Sequence, residues 1–246
     1  MKLVLLRHGE SEWNLSNKFT GWTDVNLTDK GKQEAIFAAK QIKKNNIHIK
    51  SIYTSILTRA KHTSFLVANE IGFEKNKINY TWRLNERHYG ALQGLNKSEI
   101  ASQYGEDQVK IWRRSYNISP PLLNLDDKRH PRFDEKFQKI PKNLLPSGES
   151  LELVIERMKP FFEEYLANID QKSNHLIVAH SNSLRAIIKQ LEKLTNDEIV
   201  SVNIPTGAPL VYEIDNEMRV VKKYYLLSEE KIKKEQEKIM NQGKIR

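Results

Sequence analysis

Three short apolar runs, KLVLL (2–6), SIYT (51–54) and LIVA (176–179), each break off into polar residues, with stretches of helical period between them. No other feature constrains the fold as much, because short strands separated by helices are the pattern of an α/β sheet whose crossovers make neighbours parallel. The expected fold class is therefore α/β, a three-layer sandwich with a mostly parallel central sheet covered by helices. In such a sheet the carboxyl ends of the strands share one edge, and ligands bind outside that edge. Arg7 and His8 follow the first run, Arg59 and His62 the second, and His180 and Asn182 the third. Topology alone should gather them.

The helices are legible from their apolar spacing. Thr28 is the expected N-cap, and Ala35, Ile36, Ala39 and Ile42 mark the inner face of a helix ending near Asn45. Further helices are expected from near Thr58 and from near Ser183, the latter with Leu184, Ile187, Ile188, Leu191 and Leu194 inward. Leu151, Val154, Ile155, Met158, Phe162, Tyr165, Leu166 and Ile169 predict one long helix, kinked at Pro160. Residues 210–214 and 219–226 read as a closing hairpin through Asp215, Asn216 and Glu217.

The 246 residues suit a single domain. Residues 95–149 carry Pro120, Pro121, Pro131, Pro141 and Pro146 with little sustained period, and read as an insertion or lid. The tail, 228–246, is mostly Lys, Glu and Gln, a solvated helix or mobile arm by composition.

Composition removes several functions. Without cysteine there is no disulfide, thiolate metal site or cysteine nucleophile. Neither HExxH nor a dense Asp/His cluster is present, so no metal is expected; a Walker loop and a GxSxG elbow are also missing. The net charge of +9 attracts anions, but Lys and Arg are mixed with Asp and Glu and carry no nucleic-acid signature. Only four apolar residues separate Lys2 from Arg7, and no run is long enough to span a bilayer. A cytoplasmic protein with no nucleic-acid or membrane partner is expected.

The gathered residues suit phosphate. Arginine offers a planar fork, helix N-termini near Thr58 and Ser183 favour anions, and a neutral imidazole can attack phosphorus. Gly9 would let the backbone approach closely. His48, His130 and His175 lack such a setting and read as surface residues.

RHGE after a first strand resembles the hallmark of the histidine phosphatase superfamily. KFTGWTDVNLT (18–28), LNERHYGALQGLNK (84–97), IWRRSY (111–116), AHSNSLRA (179–186) and NIPTGAPLVYE (203–213) resemble the cofactor-dependent phosphoglycerate mutases, in order and over nearly the whole chain. The resemblance implies interconversion of 3-phosphoglycerate and 2-phosphoglycerate through a phosphohistidine, primed by 2,3-bisphosphoglycerate and independent of metal. It implies His8 as the phosphorylated residue, Arg7, Arg59 and His180 around the transferring phosphoryl, and Glu86 as proton donor and acceptor. Substrate contacts are implied at Arg7, His8, Gly9, Glu10, Ser11, Glu12, Trp13, Asn14, Thr20, Gly21, Arg59 and Glu86. They are also implied at Arg87, His88, Tyr89, Lys97, Arg113, Arg114, Ser181 and Asn182, some of them for the carboxylate. Lys97, Arg113 and Arg114 would let the irregular segment close over substrate, and the tail could help cover it. Relatives form dimers or tetramers, which makes a homodimer or homotetramer the expected partner state.

One position departs from the family. Ser181 stands where glycine is usual, and would bring strain or crowding if the backbone there needs a positive φ; alternatively its hydroxyl or N–H donates to phosphate. Two rival functions stay open: a histidine-type phosphomonoesterase, using the same four residues with water as acceptor, and a non-catalytic anion-binding protein.

Overall fold

The computed structural model describes residues 1–165, 168–242 and 244. Its centre is a six-stranded sheet in the order β3-β2-β4-β1-β5-β6. The strands are β1 (Lys2–Arg7), β2 (Ile49–Thr54), β3 (Ile78–Tyr80), β4 (Asn174–Ala179), β5 (Leu210–Ile214) and β6 (Val220–Tyr225). The first four pair in parallel, whereas β5 runs antiparallel to β1 and β6 antiparallel to β5.

Alternation along β1 assigns the two faces. Val4 and Leu6 pack with Ala38, Ala39 and Ile42 of α2 (Asp29–Lys44) and Val67 and Ala68 of α3 (Thr58–Ile71). Leu3 and Leu5 pack on the other face with Val154, Met158 and Phe161 of α6 (Leu151–Glu164) and Leu184, Ile187 and Ile188 of α7 (Ser181–Glu192). Period-two strands between helical stripes therefore give three layers, and each fully buried aliphatic side chain stabilises them by about 1.5–3 kcal/mol.

Some boundaries differ from the sequence reading. α6 runs through Pro160 for four further residues and stops at Glu164, short of Ile169; Leu166 lies outside the described residues. α7 begins at Ser181, directly after His180. The hairpin forms with Asp215 Oδ1 accepting from the N–H groups of Glu217 and Arg219, and Met218 takes the positive φ of the turn.

The segment 95–149 contains two helices that its pattern hid, α4 (Lys97–Tyr104) and α5 (Glu106–Arg114). Each is only two or three turns long, too short for a clear period. Asn96 caps α4 through its side chain, Gly105 joins the helices at φ +85°, and Ile100, Ala101 and Val109 pack against Phe19 and Leu92. Beyond α5 the proline-rich part winds through short 3-10 turns whose Phe137, Ile140 and Leu145 pack on Trp22 and Leu57. A single turn, α8 (Glu198–Ser201), follows α7, and the tail forms α9 (Glu229–Met240), with Ile232 and Ile239 buried. Among the described residues no helix is long and apolar enough to cross a membrane.

Two histidines read as surface residues are buried. His130 closes a turn, its Nδ1 accepting from the Arg132 N–H while Nε2 lies 3.1 Å from Ser147 Oγ. His175 lies between Ser51 Oγ and the Asp170 carbonyl, each at 2.8 Å. Ser51 and Ser147 are distant in sequence, so nothing local announces their bonds. His48 is exposed.

Candidate active site

β1 and β4 are hydrogen-bonded neighbours in register, Arg7 opposite Ala179, so the residues that leave them emerge side by side. His8 continues the ladder by one bond, its N–H donating to the Ala179 carbonyl at 3.0 Å. The rings of His8 and His180 consequently lie 4.9 Å apart at an interplanar angle of 61°. His8 Nδ1 donates to the Gly9 carbonyl at 2.7 Å, an assignment made from the acceptor it faces, which leaves Nε2 with its lone pair. His180 Nε2 lies 2.7 Å from Ser55 Oγ, just past β2, while its buried Nδ1 has no partner.

Arg59, in the first turn of α3, donates to the carbonyls of Gly21 at 2.7 Å and Thr23 at 3.0 Å. This ties α3 to the loop that follows β1. Gly21 needs its φ of +56°, and a Cβ there would lie 1.9 Å from Gln93 Oε1, which accepts the Trp22 N–H. Arg7 donates to the Ile204 carbonyl at 2.9 Å and keeps a buried Nε without a partner. Glu86 comes from the coil that follows the 3-10 turn Trp82–Leu84. Its Oε1 accepts three bonds, from the N–H groups of Arg87 and Asn182 and from Asn182 Nδ2, at 2.7, 3.1 and 2.9 Å.

Arg7, His8, Arg59, Glu86 and Asn182 line a cavity of about 50 Å³ with Asn14, Lys18, Thr20, Gly21, Tyr89, Lys97, Arg113, Arg114 and Ser181, and His180 lies against His8 behind it. The floor of α9 completes it. Arg113 Nη2 donates to the Ile239 carbonyl at 3.2 Å and to Gln242 Oε1 at 3.3 Å. Arg7, Lys18, Arg59, Lys97, Arg113 and Arg114 thus share the cavity with one carboxylate, Glu86.

The titration of the site follows from that imbalance. Burial, reinforced by Arg59 and Arg7, holds His8 well below the ordinary imidazole range; burial with Arg59 and His8 does the same to His180. Both rings are neutral at pH 7. Burial pushes Arg59 down to about 10, and burial beside Arg114 pushes Arg113 to about 9. Lys97 falls well below its usual range through burial next to Arg113, Arg7 and Arg114. Cations so crowded and buried repel one another, and an anion among them would relieve that repulsion.

The chain is matched, over residues 3–123 and 122–226, by the model of the histidine phosphatase superfamily (branch 1). It is 50% identical to a 2,3-bisphosphoglycerate-dependent phosphoglycerate mutase of Borreliella afzelii, covering 100% of this chain and 99% of that protein. The chain belongs to the 2,3-bisphosphoglycerate-dependent phosphoglycerate mutases. A mutase of the same name from Treponema denticola is 51% identical, with 99% of each chain covered. Solved structures show the shared fold at lower identity. A mycobacterial glucosyl-3-phosphoglycerate phosphatase superposes with TM-score 0.67 at 22% identity, covering 86% of this chain and 92% of that one. The alpha-ribazole phosphatase of Shigella flexneri gives 0.63 at 20%, covering 90% and 95%.

Several residues that the mutase resemblance assigned to substrate do not reach the cavity wall. A Cβ on Gly9 would lie 2.0 Å from the Gly31 carbonyl oxygen, so glycine there permits the crossing of β1's exit over α2. Glu10 turns away to Lys30 and Thr28, Ser11 caps α1 (Glu12–Leu15), and Glu12 is exposed. Trp13 receives the Lys18 ammonium over its ring. Arg87 is wholly buried, donating to the carbonyls of Trp112 and Arg113 at 2.7 Å and stacking over Tyr89. His88 is buried beside Trp22, its Nδ1 accepting the Gly90 N–H; burial, with His130 and Arg157 nearby, lowers it to about 3. His62 is exposed on α3, one position beyond the face that carries Arg59, Ala60 and Thr63 inward.

Ser181 is the first residue of α7 and is not among the residues of positive φ, so the backbone strain weighed from sequence does not arise. Lys18, Ile239 and Gln242 line the cavity without having been singled out. Lys18 lies in the quoted KFTGWTDVNLT, four residues after Asn14, and that proximity was the available signal. For Gln242 no local signal exists.

Proposed function

We propose that this chain interconverts 3-phosphoglycerate and 2-phosphoglycerate through a phosphorylated His8. The observation that carries the reading is the placement of His8 in the wall of a cavity with six cations and one carboxylate. That charge excess, with buried Arg7 Nε and His180 Nδ1 left without partners, fits 2,3-bisphosphoglycerate, held by Arg7, Arg59 and His180 at one end and by Lys97, Arg113 and Arg114 at the other. When bound, it supplies the phosphoryl group that primes His8.

Phosphoryl transfer needs position and charge stabilisation above all. His8 Nε2 attacks phosphorus in line as the phosphorus–oxygen bond breaks, and Arg7, Arg59 and His180 stabilise the spread charge on the equatorial oxygens. Glu86 gives its proton to the departing oxygen. In the return half-reaction it takes the proton from the accepting hydroxyl as the nitrogen–phosphorus bond breaks. Its Oε1 is pinned by Arg87 and Asn182, which leaves Oε2 for the substrate.

Water must stay away from phosphorylated His8 between the two halves, since hydrolysis would make the protein a phosphatase. The segment 95–149 and the end of α9 act as the closing elements of the single domain. The test is a coupled assay on 3-phosphoglycerate with and without bisphosphoglycerate, in the presence of a chelator. Formation of 2-phosphoglycerate that depends on the primer is expected. Release of free phosphate without 2-phosphoglycerate would make the protein a phosphomonoesterase.

A further inference from the structure

Glu86 stands on a stretch of chain that no strand holds: a 3-10 turn, Trp82–Leu84, leads into coil. A proton carrier on such a stretch would wander unless something outside the backbone ladder fixes it. Trp22 Nε1 donates to the Glu86 carbonyl at 2.6 Å, and Arg157, on α6, reaches under the whole stretch. Its Nη1 donates to the carbonyls of Arg83 at 2.6 Å and Trp82 at 3.3 Å, and its Nη2 to those of Asn85 at 3.2 Å and Glu86 at 3.3 Å. Arg83 returns a bond from its Nη1 to the Arg157 carbonyl at 2.8 Å.

The guanidinium is itself held. Nε and Nη2 donate to the two oxygens of Glu149 at 2.7 and 3.2 Å, with both side chains about 5% exposed. Glu149 also clasps the far side of Glu86, since its Oε2 accepts the His88 N–H and its own N–H donates to the His88 carbonyl, both at 2.8 Å. Residues 82 to 88 are therefore gripped from both ends by one buried ion pair. A lysine could neutralise Glu149 but could not present a planar fork to four carbonyls.

We propose that Arg157, braced by Glu149, is the positioning residue that holds Glu86 at proton-transfer distance from the substrate oxygen. Arg157 is absent from the cavity wall, and the charge it also presents toward His180 is kept in Arg157→Lys. The inference rests on the reading of Glu86 as proton carrier.

The test separates transfers that need a proton from those that do not. Single-turnover phosphorylation of His8 is measured with bisphosphoglycerate, whose departing alkoxide must be protonated, and with 4-nitrophenyl phosphate, whose nitrophenolate leaves unprotonated. Arg157→Met should slow the first reaction about 100-fold, the loss typical of a reacting group displaced by about 1 Å, and Arg157→Lys about tenfold. Both should leave the second within about threefold of the parent. Arg157→Lys keeps the ion pair and serves if Arg157→Met fails to fold.

Glu86→Gln is the control, and adding Arg157→Lys to it should cost nothing further, because residues acting through one group are non-additive. If Glu86→Gln is selective and the Arg157 variants slow both donors equally, or neither, the positioning inference is overturned while the role of Glu86 stands. If Glu86→Gln itself slows both donors equally, the proton-carrier reading falls, and the inference with it.

Discussion

Arg113→Met should make the ligand-free protein more stable and the enzyme worse. Arg113 is buried against Arg114, Arg87 and Arg7, with Tyr89 offering partial compensation. Its fall from 12.5 to about 9 corresponds to roughly 5 kcal/mol for keeping the charge there, at about 1.4 kcal/mol per pH unit. The bonds to Ile239 and Gln242, long at 3.2 and 3.3 Å, return about 1.5 kcal/mol each, the low end for a charged donor. A gain of about 1–4 kcal/mol follows when methionine fills the space, the range seen when apolar residues replace buried charges. At about 2–4 °C per kcal/mol for a chain of this size, Tm should rise by several degrees. The sign in pH is fixed by the direction of the shift. Folded Arg113 gives up its proton at a lower pH than unfolded Arg113, so the penalty is complete below about 9 and relaxes only above it. Neutral assays therefore see all of it. If Arg113 holds the substrate carboxylate, losing a charged hydrogen bond of about 1.5–3 kcal/mol should raise KM about 10- to 150-fold. Scanning calorimetry and the coupled assay, run on the same preparations, check both halves. A lowered Tm would refute the charge-strain argument, and an unchanged KM would refute the substrate contact.

Phosphorylation of His8 should stay level as pH falls through about 6.5, because burial with Arg59 and Arg7 keeps the ring neutral there; an inflection near 6.5 in quench-flow rates would contradict this. The same depression in His8 and His180 gives stability that is present above the unfolded imidazole value and is lost as pH falls below it, which acid titration of Tm would show. Ser181→Gly should change catalytic efficiency and bisphosphoglycerate affinity by less than about threefold, since Ser181 occupies an unstrained helical position; a tenfold change in either would assign its hydroxyl a direct part. Deleting 228–246 removes Ile239 and Gln242 from the cavity wall, and the ratio of phosphatase to mutase turnover should rise by about tenfold or more as water gains access. An unchanged ratio would mean that α9 does not shield the phosphorylated histidine.

The sheet could be read from sequence because its information is local. Alternating Leu3, Val4, Leu5 and Leu6 states that both faces are covered, and the polar break at Arg7 states where the strand ends. The short α4 and α5 escaped because helices of two or three turns lack room for a pattern, and α6 ended early although its apolar positions continued. In the site, Arg7, His8, Arg59 and His180 were legible from strand ends, while Glu86, Lys97, Arg113 and Arg114 entered through family resemblance. That resemblance also brought in Glu10, Ser11, Glu12, Trp13, Arg87 and His88, which, like Gly9 from the residue reading, lie behind the wall or turn from it.

By itself, the chain determined an anion site at the carboxyl edge of a mostly parallel sheet, since strand and helix periods are properties of neighbouring residues. Only the tertiary structure decided which side chains face that site and which hold it in place. Gln242 meets Arg113, and Arg157 meets the carbonyls of 82 to 86, across separations of more than seventy residues. Those contacts depend on how the layers pack, and main-chain carbonyls carry no mark in a sequence.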